Sequence, residues 1–193
     1  MNGIATPTIG TVSGKEISYL NPDPMSIDIQ DIAVGLSNVC RFAGQLETHY
    51  SVAQHSCAVA SKVWCETTDP QKAMQGLLHD ASEAYTGDVP TPLKRAVGTA
   101  FCEIETRLQS VIYEKYGVPV EMFPEVHEAD KRWLITERNT FQPRHFEWGA
   151  YRDILPYGEL DLKAWKPKRA RKNFIAWFEY FECLQRKLFA KAS

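Results

Sequence analysis

The sequence predicts an all-α fold, a helical bundle behind a short irregular N-terminal segment. Three observations predict it. From Asp28 onward apolar residues recur at three- and four-residue intervals. Cap signals stand where those runs begin, with Ser51 before one and Asp69-Pro70 before another. Glycine and proline clusters then separate the runs into helix-length pieces.

Residues 1–27 are rich in Gly, Thr, Ser and Pro and read as extended or looped, with a short hairpin around Ser13-Gly14-Lys15. Ile29, Ile32, Ala33, Leu36 and Val39 mark a first helix that ends at or before Gly44. Ser51 caps a second, with Val52, His55, Val59 and Val63 on one stripe. Asp69-Pro70 opens a third, expected to run on through Ala73, Leu77, His79, Asp80 and Glu83. Thr86 to Pro92 must be a loop, because one glycine and two prolines exclude a continuous helix. Further helices are expected from about Gly98 to Tyr116, from about Glu125 to Asn139 and from about Ala170 to Ala190, with an irregular aromatic stretch over residues 140–165. No internal repeat or linker is visible, so residues 1–193 read as a single domain.

The bulk numbers narrow the function. At 44% hydrophobic and 24% charged, the composition is that of an ordinary globular protein. A net charge of −2 gives no reason to expect a nucleic-acid coat or a membrane-surface protein. Five cysteines, none in C-x-x-C spacing, argue against a disulfide framework and a thiolate zinc site. The start shows no signal-peptide pattern, and no stretch of roughly 18 apolar residues occurs. A cytoplasmic location follows as the expectation, the host cytoplasm if the chain is phage-encoded.

The chemistry concentrates in the order H…HD…D: His55, His79-Asp80 and Asp130. Two imidazoles and two carboxylates suit Mn, Co, Fe, Ni or Zn better than Mg, which is left as a candidate second ion. Such an ion lowers the pKa of its water from about 15.7 to about 7 and polarises a phosphoryl oxygen. Each ligand alone has a bland reading, since a single His on an apolar stripe usually serves the core. Glu83 shares a helical face with His79 and Asp80 if the helix is continuous, and suits general acid–base work. Asp88 in the Gly-Asp-x-Pro turn is either catalytic or a turn cap. Arg41 and Lys94 are candidates for phosphate contact, His127 for an outer phosphate and Phe42 for stacking on a base.

The runs Arg41-Phe42, His49 to Ser56, Leu77 to Lys94 and Glu128-Ala129-Asp130 resemble the HD-domain phosphohydrolases. The branch in view is the bacterial 5′-deoxynucleotidases and their phage relatives. The resemblance implies an HD-domain helical bundle, a metal on His55, His79, Asp80 and Asp130, a catalytic Glu83, a supporting Asp88 and phosphate roles for Arg41 and Lys94. Some phage members are similar in size and act as dATP triphosphohydrolases in phages whose genomes carry 2-aminoadenine. The leading expectation is therefore a dATP triphosphohydrolase, with a 5′-deoxynucleotidase acting on dNMPs as the alternative. Where many relatives have Asn-Gly-His, this chain has Ala43-Gly44-Gln45. Small residues there suit a close purine edge that lacks a 2-amino group.

The basic run from Lys163 to Lys172 keeps a nucleic-acid-binding HD module as the non-enzyme alternative, though one short run on an acidic chain is thin support and nucleic acid is not the expected partner. Phe174, Trp177, Phe178, Phe181, Leu184 and Leu188 form a near a/d seam, which packs on its own domain or joins copies. The expected partners are a deoxynucleotide substrate and a second copy of the chain, with no membrane.

Overall fold

The computed structural model describes residues 7–142, 149–158 and 162–192. It is mostly helical. The exception is a two-stranded antiparallel hairpin, β1 (Thr8–Gly10) and β2 (Glu16–Ser18), with Ile9 opposite Ile17. The hairpin turn therefore falls where Ser13-Gly14-Lys15 placed it. Ile17 points into the core, and the Ser13 backbone N–H and hydroxyl both donate to Asp31, at 2.9 and 2.6 Å. Residues 1–6 of the expected irregular segment lie outside the described residues.

Helix α1 (Ile29–Asn38) starts where the Asp28 side chain accepts from the Gln30 N–H. It stops at Asn38, and Gly44 belongs to a separate 3-10 turn, Phe42–Gly44. Ser51 caps α2 (Val52–Thr67) and Asp69 caps α3 (Pro70–Leu78), each side chain accepting from first-turn N–H groups that have no intrahelical partner. Helices α4 (Glu83–Thr86), α5 (Thr91–Val97), α6 (Thr99–Tyr116), α7 (Pro124–Phe141) and α8 (Pro167–Ala192) complete the bundle.

Two expectations need correction. The helix drawn through His79, Asp80 and Glu83 ends at Leu78, and Glu83 opens the new helix α4. The cause is a side chain from α6. Gln109 donates to the Leu78 carbonyl at 2.7 Å and accepts from the Ser82 N–H at 3.0 Å, taking backbone groups that a continuing helix would pair. Between them the chain tightens into three-residue steps, Ala81 N–H to Leu78 O and Glu83 N–H to Asp80 O, both 3.0 Å. The proline-rich loop is also shorter than expected. Thr91 and Pro92 open α5, because a first-turn proline costs no helical hydrogen bond. Of the stretch expected to be irregular, residues 143–148 and 159–161 lie outside the described residues, and Gly149–Tyr151 form a 3-10 turn.

The core lies where α1, α2, α3 and α8 meet, with Leu36, Met74, Leu77, Phe174 and Phe181 fully buried. Side chains of this size contribute roughly 1.5–3 kcal/mol each on burial. Phe174, Phe178 and Phe181 of the α8 seam face this core, Trp177 and Leu184 are part-buried against it, and Leu188 is exposed. The basic run leads into the first turns of α8, and its backbone is tied to α2 while its Lys and Arg residues are exposed. The Gln54 side chain donates to the Lys163 carbonyl at 2.9 Å and accepts from the Trp165 N–H at 2.7 Å, and the Arg169 guanidinium lies over the Trp165 ring. Among the described residues no helix is long and apolar enough to cross a membrane.

Candidate metal centre and active site

The four predicted ligands come together from three places: His55 on α2, His79 and Asp80 in the turn after α3, and Asp130 on α7. The ligand atoms of His55, His79 and Asp130 all lie within 4.8 Å of one another. The two imidazole Nε2 atoms stand 3.2 Å apart. Asp130 Oδ1 is 3.1 Å from His55 Nε2 and 3.6 Å from His79 Nε2. Asp80 Oδ2 closes the group at 3.7 and 3.2 Å from the same two nitrogens.

Both rings are held from behind. His55 Nδ1 donates to Glu137 Oε1 at 2.7 Å, and His79 Nδ1 donates to the Gly76 carbonyl at 2.8 Å. With Nδ1 carrying the proton, each neutral ring turns the Nε2 lone pair toward the other ring and toward two carboxylates. Four converging lone-pair donors at such separations repel unless a cation sits among them. Ligands that hold one ion at about 2.0–2.1 Å stand about 2.9–3.4 Å apart at octahedral to tetrahedral angles, close to the spacing seen here. The residues therefore fit a divalent ion.

The electrostatics agree. Burial works against protonating His79, yet the facing Asp80 and Asp130 carboxylates outweigh it and hold the imidazole well above its ordinary value. His55 is raised too: burial and Arg41 oppose protonation, and Glu137 with Asp130 outweighs them. Burial also works against ionising Asp130 and Asp80, but the two imidazoles win, holding Asp130 well below its usual range and Asp80 at about 2. The group is an anionic trap for positive charge.

Glu83 is buried at the mouth of α4, and its Oε2 has no hydrogen-bond partner among the described residues. Burial, followed by the nearby Asp80 and Asp88 charges, pushes its carboxyl well above the usual glutamate range. Although the helix breaks before it, Glu83 still lines one cavity with His79 and Asp80. That cavity has a volume of about 270 Å³ and is also lined by Lys94 and by α6 through Glu105, Gln109 and Tyr113.

The remaining candidates divide. Arg41 is buried, with Nε on Glu137 Oε2 at 2.9 Å and an outer nitrogen 3.5 Å from Asp80 Oδ2. Lys94 lines the cavity, but its Nζ is paired with Glu105 Oε2 at 2.9 Å. Asp88 accepts from the Phe42 backbone N–H at 3.0 Å, so it braces the Arg41-Phe42 turn. That turn needs a brace: Phe42 and Ala43 hold φ of 57° and 52°, a region that costs non-glycine residues energy. The Phe42 ring lies 5.6 Å from the Arg41 guanidinium. His127 is exposed one turn before Asp130 and takes no part in the hydrogen bonds that knit the cluster.

Sequence reading missed Glu137, Tyr50, Glu105 and Gln109. A signal existed for Glu137, which lies two helical turns after Asp130 and so on the same face of α7.

Comparison with known proteins gives a consistent picture. Residues 45–129 match the family described as 5′-deoxynucleotidase YfbR-like. The uncharacterized protein YfdR of Escherichia coli strain K12 is 47% identical over 131 residues, 67% of this chain and 70% of that one. An uncharacterized protein of Rhodobacter capsulatus is 35% identical over 125 residues, 62% of this chain and 63% of the relative.

Proposed function

The chain belongs to the YfbR-like 5′-deoxynucleotidase family of metal-dependent phosphohydrolases, and from that premise we propose that it hydrolyses the 5′-phosphate ester of 2′-deoxynucleotides. The observation that carries the reading is the convergence of two anchored imidazoles and two carboxylates beside a buried glutamate whose Oε2 has no hydrogen-bond partner among the described residues.

His55, His79, Asp80 and Asp130 would hold a divalent ion, which when bound supplies Lewis-acid polarisation of the phosphoryl group and a more acidic water. The chain's own residues do the rest. Glu83 keeps its proton to a higher pH than a surface glutamate does, so it can hand that proton to the leaving 5′ oxygen. Arg41, fixed on one side by Glu137, presents its outer edge toward the centre and suits bidentate phosphate contact. Lys94 adds a second positive charge to the lining of the cavity. Asp88 acts through Phe42, keeping the strained turn that carries Arg41 in place.

Monophosphates are favoured over dATP on charge. Among the described residues both cations at the site are already paired, Arg41 with Glu137 and Asp80, and Lys94 with Glu105. A β,γ-phosphate tail in this cavity would meet Asp80 and Glu105 with little uncompensated positive charge. The dATP triphosphohydrolase reading breaks the same ester bond and leaves tripolyphosphate in place of orthophosphate.

A turnover panel of dNMPs and dNTPs, including dATP and 2-amino-dATP, with Mn, Co, Mg and Zn and with products identified, tests the proposal. Deoxynucleoside plus orthophosphate from dNMPs is expected. Tripolyphosphate from dATP at a higher kcat/KM than any dNMP would reverse the order of the two readings. No turnover of any deoxynucleotide with any of the four metals would remove both.

A further inference from the structure

We propose that Glu137 is a positioning residue that ties the imidazole of His55 to the guanidinium of Arg41, so that the metal site and the phosphate contact depend on one carboxylate. The proposal rests on the function proposed above. Glu137 is fully buried, and a buried carboxylate is costly unless its oxygens are all engaged. They are: Oε1 accepts from His55 Nδ1 at 2.7 Å and from the Tyr50 hydroxyl at 2.8 Å, while Oε2 accepts from Arg41 Nε at 2.9 Å.

Each bond has a consequence at the centre. The bond from Nδ1 selects the His55 tautomer whose Nε2 lone pair faces Asp80 and Asp130, and fixes the ring plane. The bond from Nε holds Arg41 back, leaving its outer nitrogen 3.5 Å from Asp80 Oδ2. Without Glu137, Arg41 would be left to pair with Asp80 alone, on the oxygen that a cation needs. His79 provides an internal contrast, because its Nδ1 is held by the Gly76 backbone carbonyl and needs no side chain. The arrangement makes α7 doubly involved: it supplies Asp130 as a candidate ligand and, seven residues on, the group that aims another ligand.

The test is a cobalt(II) titration without substrate, read by affinity and by the visible spectrum, on wild type, Glu137→Gln, Glu137→Asp and Tyr50→Phe. Orthophosphate affinity of each cobalt-loaded protein is measured alongside. Glu137→Gln is expected to weaken cobalt about 10- to 100-fold, the usual effect of losing an outer-shell partner, and to shift the spectrum. Glu137→Asp keeps the charge but withdraws it by one methylene, and is expected to lose at least about tenfold. Tyr50→Phe removes one of the two donors on Oε1 but leaves the His55 and Arg41 bonds, and is expected to weaken cobalt less than either Glu137 variant. Should Glu137→Gln fail to fold, Glu137→Asp decides. A folded Glu137 variant with wild-type cobalt affinity, spectrum and orthophosphate affinity overturns the proposal and leaves the function standing. If cobalt does not bind, the same affinity comparison is made with Mn or Zn, and a wild-type protein that binds none of Mn, Co, Mg and Zn overturns the function itself.

Discussion

Gly35 on α1 is where the fold and the site can be probed with one methyl group. A Cβ built there would stand 2.7 Å from the Ala84 carbonyl oxygen, 2.8 Å from its Cβ and 2.9 Å from its Cα. Two of these atoms are backbone, so relief requires α4 to move. Replacing a helical glycine by alanine normally gains about 1 kcal/mol. Overpacking a tight contact costs about 1–3 kcal/mol, and a clash with backbone belongs in the upper part of that range. Gly35→Ala is therefore expected to destabilise the protein by about 1–2 kcal/mol, about 2–8 °C in Tm for a chain of this size. Urea unfolding with an unchanged m-value reads the cost. Because Glu83 directly precedes Ala84, the variant should also lose kcat on a dNMP while cobalt affinity holds. Gly76→Ala is the milder companion, since its Cβ would meet the Ala60 Cα at 3.3 Å. A Gly35→Ala protein as stable as wild type, or stabilised by the kilocalorie that helix propensity alone predicts, would refute the close approach of α1 to α4.

Three further predictions follow from particular residues. Glu83→Gln should lower turnover by about 10²–10⁴-fold, the range of general acid–base contributions, with cobalt binding retained; full activity would show that Glu83 moves no proton. Asp28→Ala should cost about 1 kcal/mol at pH 7 as a lost N-cap. The Gln30 backbone N–H, then Lys15, hold the Asp28 carboxyl below its ordinary value in the folded chain. Its contribution is thus present above the unfolded carboxyl pKa of about 3.9 and lost as pH falls through the lower folded value, so the stability gap between wild type and Asp28→Ala should close toward pH 2. Among the thiols, Cys65, Cys102 and Cys183 are exposed, whereas Cys57 is buried and burial pushes its pKa far up. A chromogenic thiol reagent should modify Cys57 only after denaturation, and Cys57→Ser should leave the number of fast-reacting thiols unchanged.

Much of this architecture was legible in the chain. The caps Asp28, Ser51 and Asp69 act within three residues of themselves, so their helices start where local chemistry says they must. The break after Leu78 was not legible, because its cause is Gln109, about thirty residues away on α6. For the same reason Lys94 reads in sequence as a cation available to phosphate and stands in the fold paired with Glu105. His127 shows the converse: helical spacing put it one turn from Asp130, but the helix turns it to the surface.

The order H…HD…D and the glutamate beyond it were enough to raise the expectation of a nitrogen- and oxygen-donor metal centre, since the choice of donors is a property of side-chain chemistry alone. Which nitrogen of each ring faces inward was beyond that reading. It is set by Glu137 and by the Gly76 carbonyl, and the first of these lies 82 residues from the ring it orients. Helix caps and donor sets are short-range and survive in an isolated segment. The aim of a lone pair and the pairing of a buried charge exist only once α2, α3 and α7 have packed and excluded the water that would otherwise compete for those bonds.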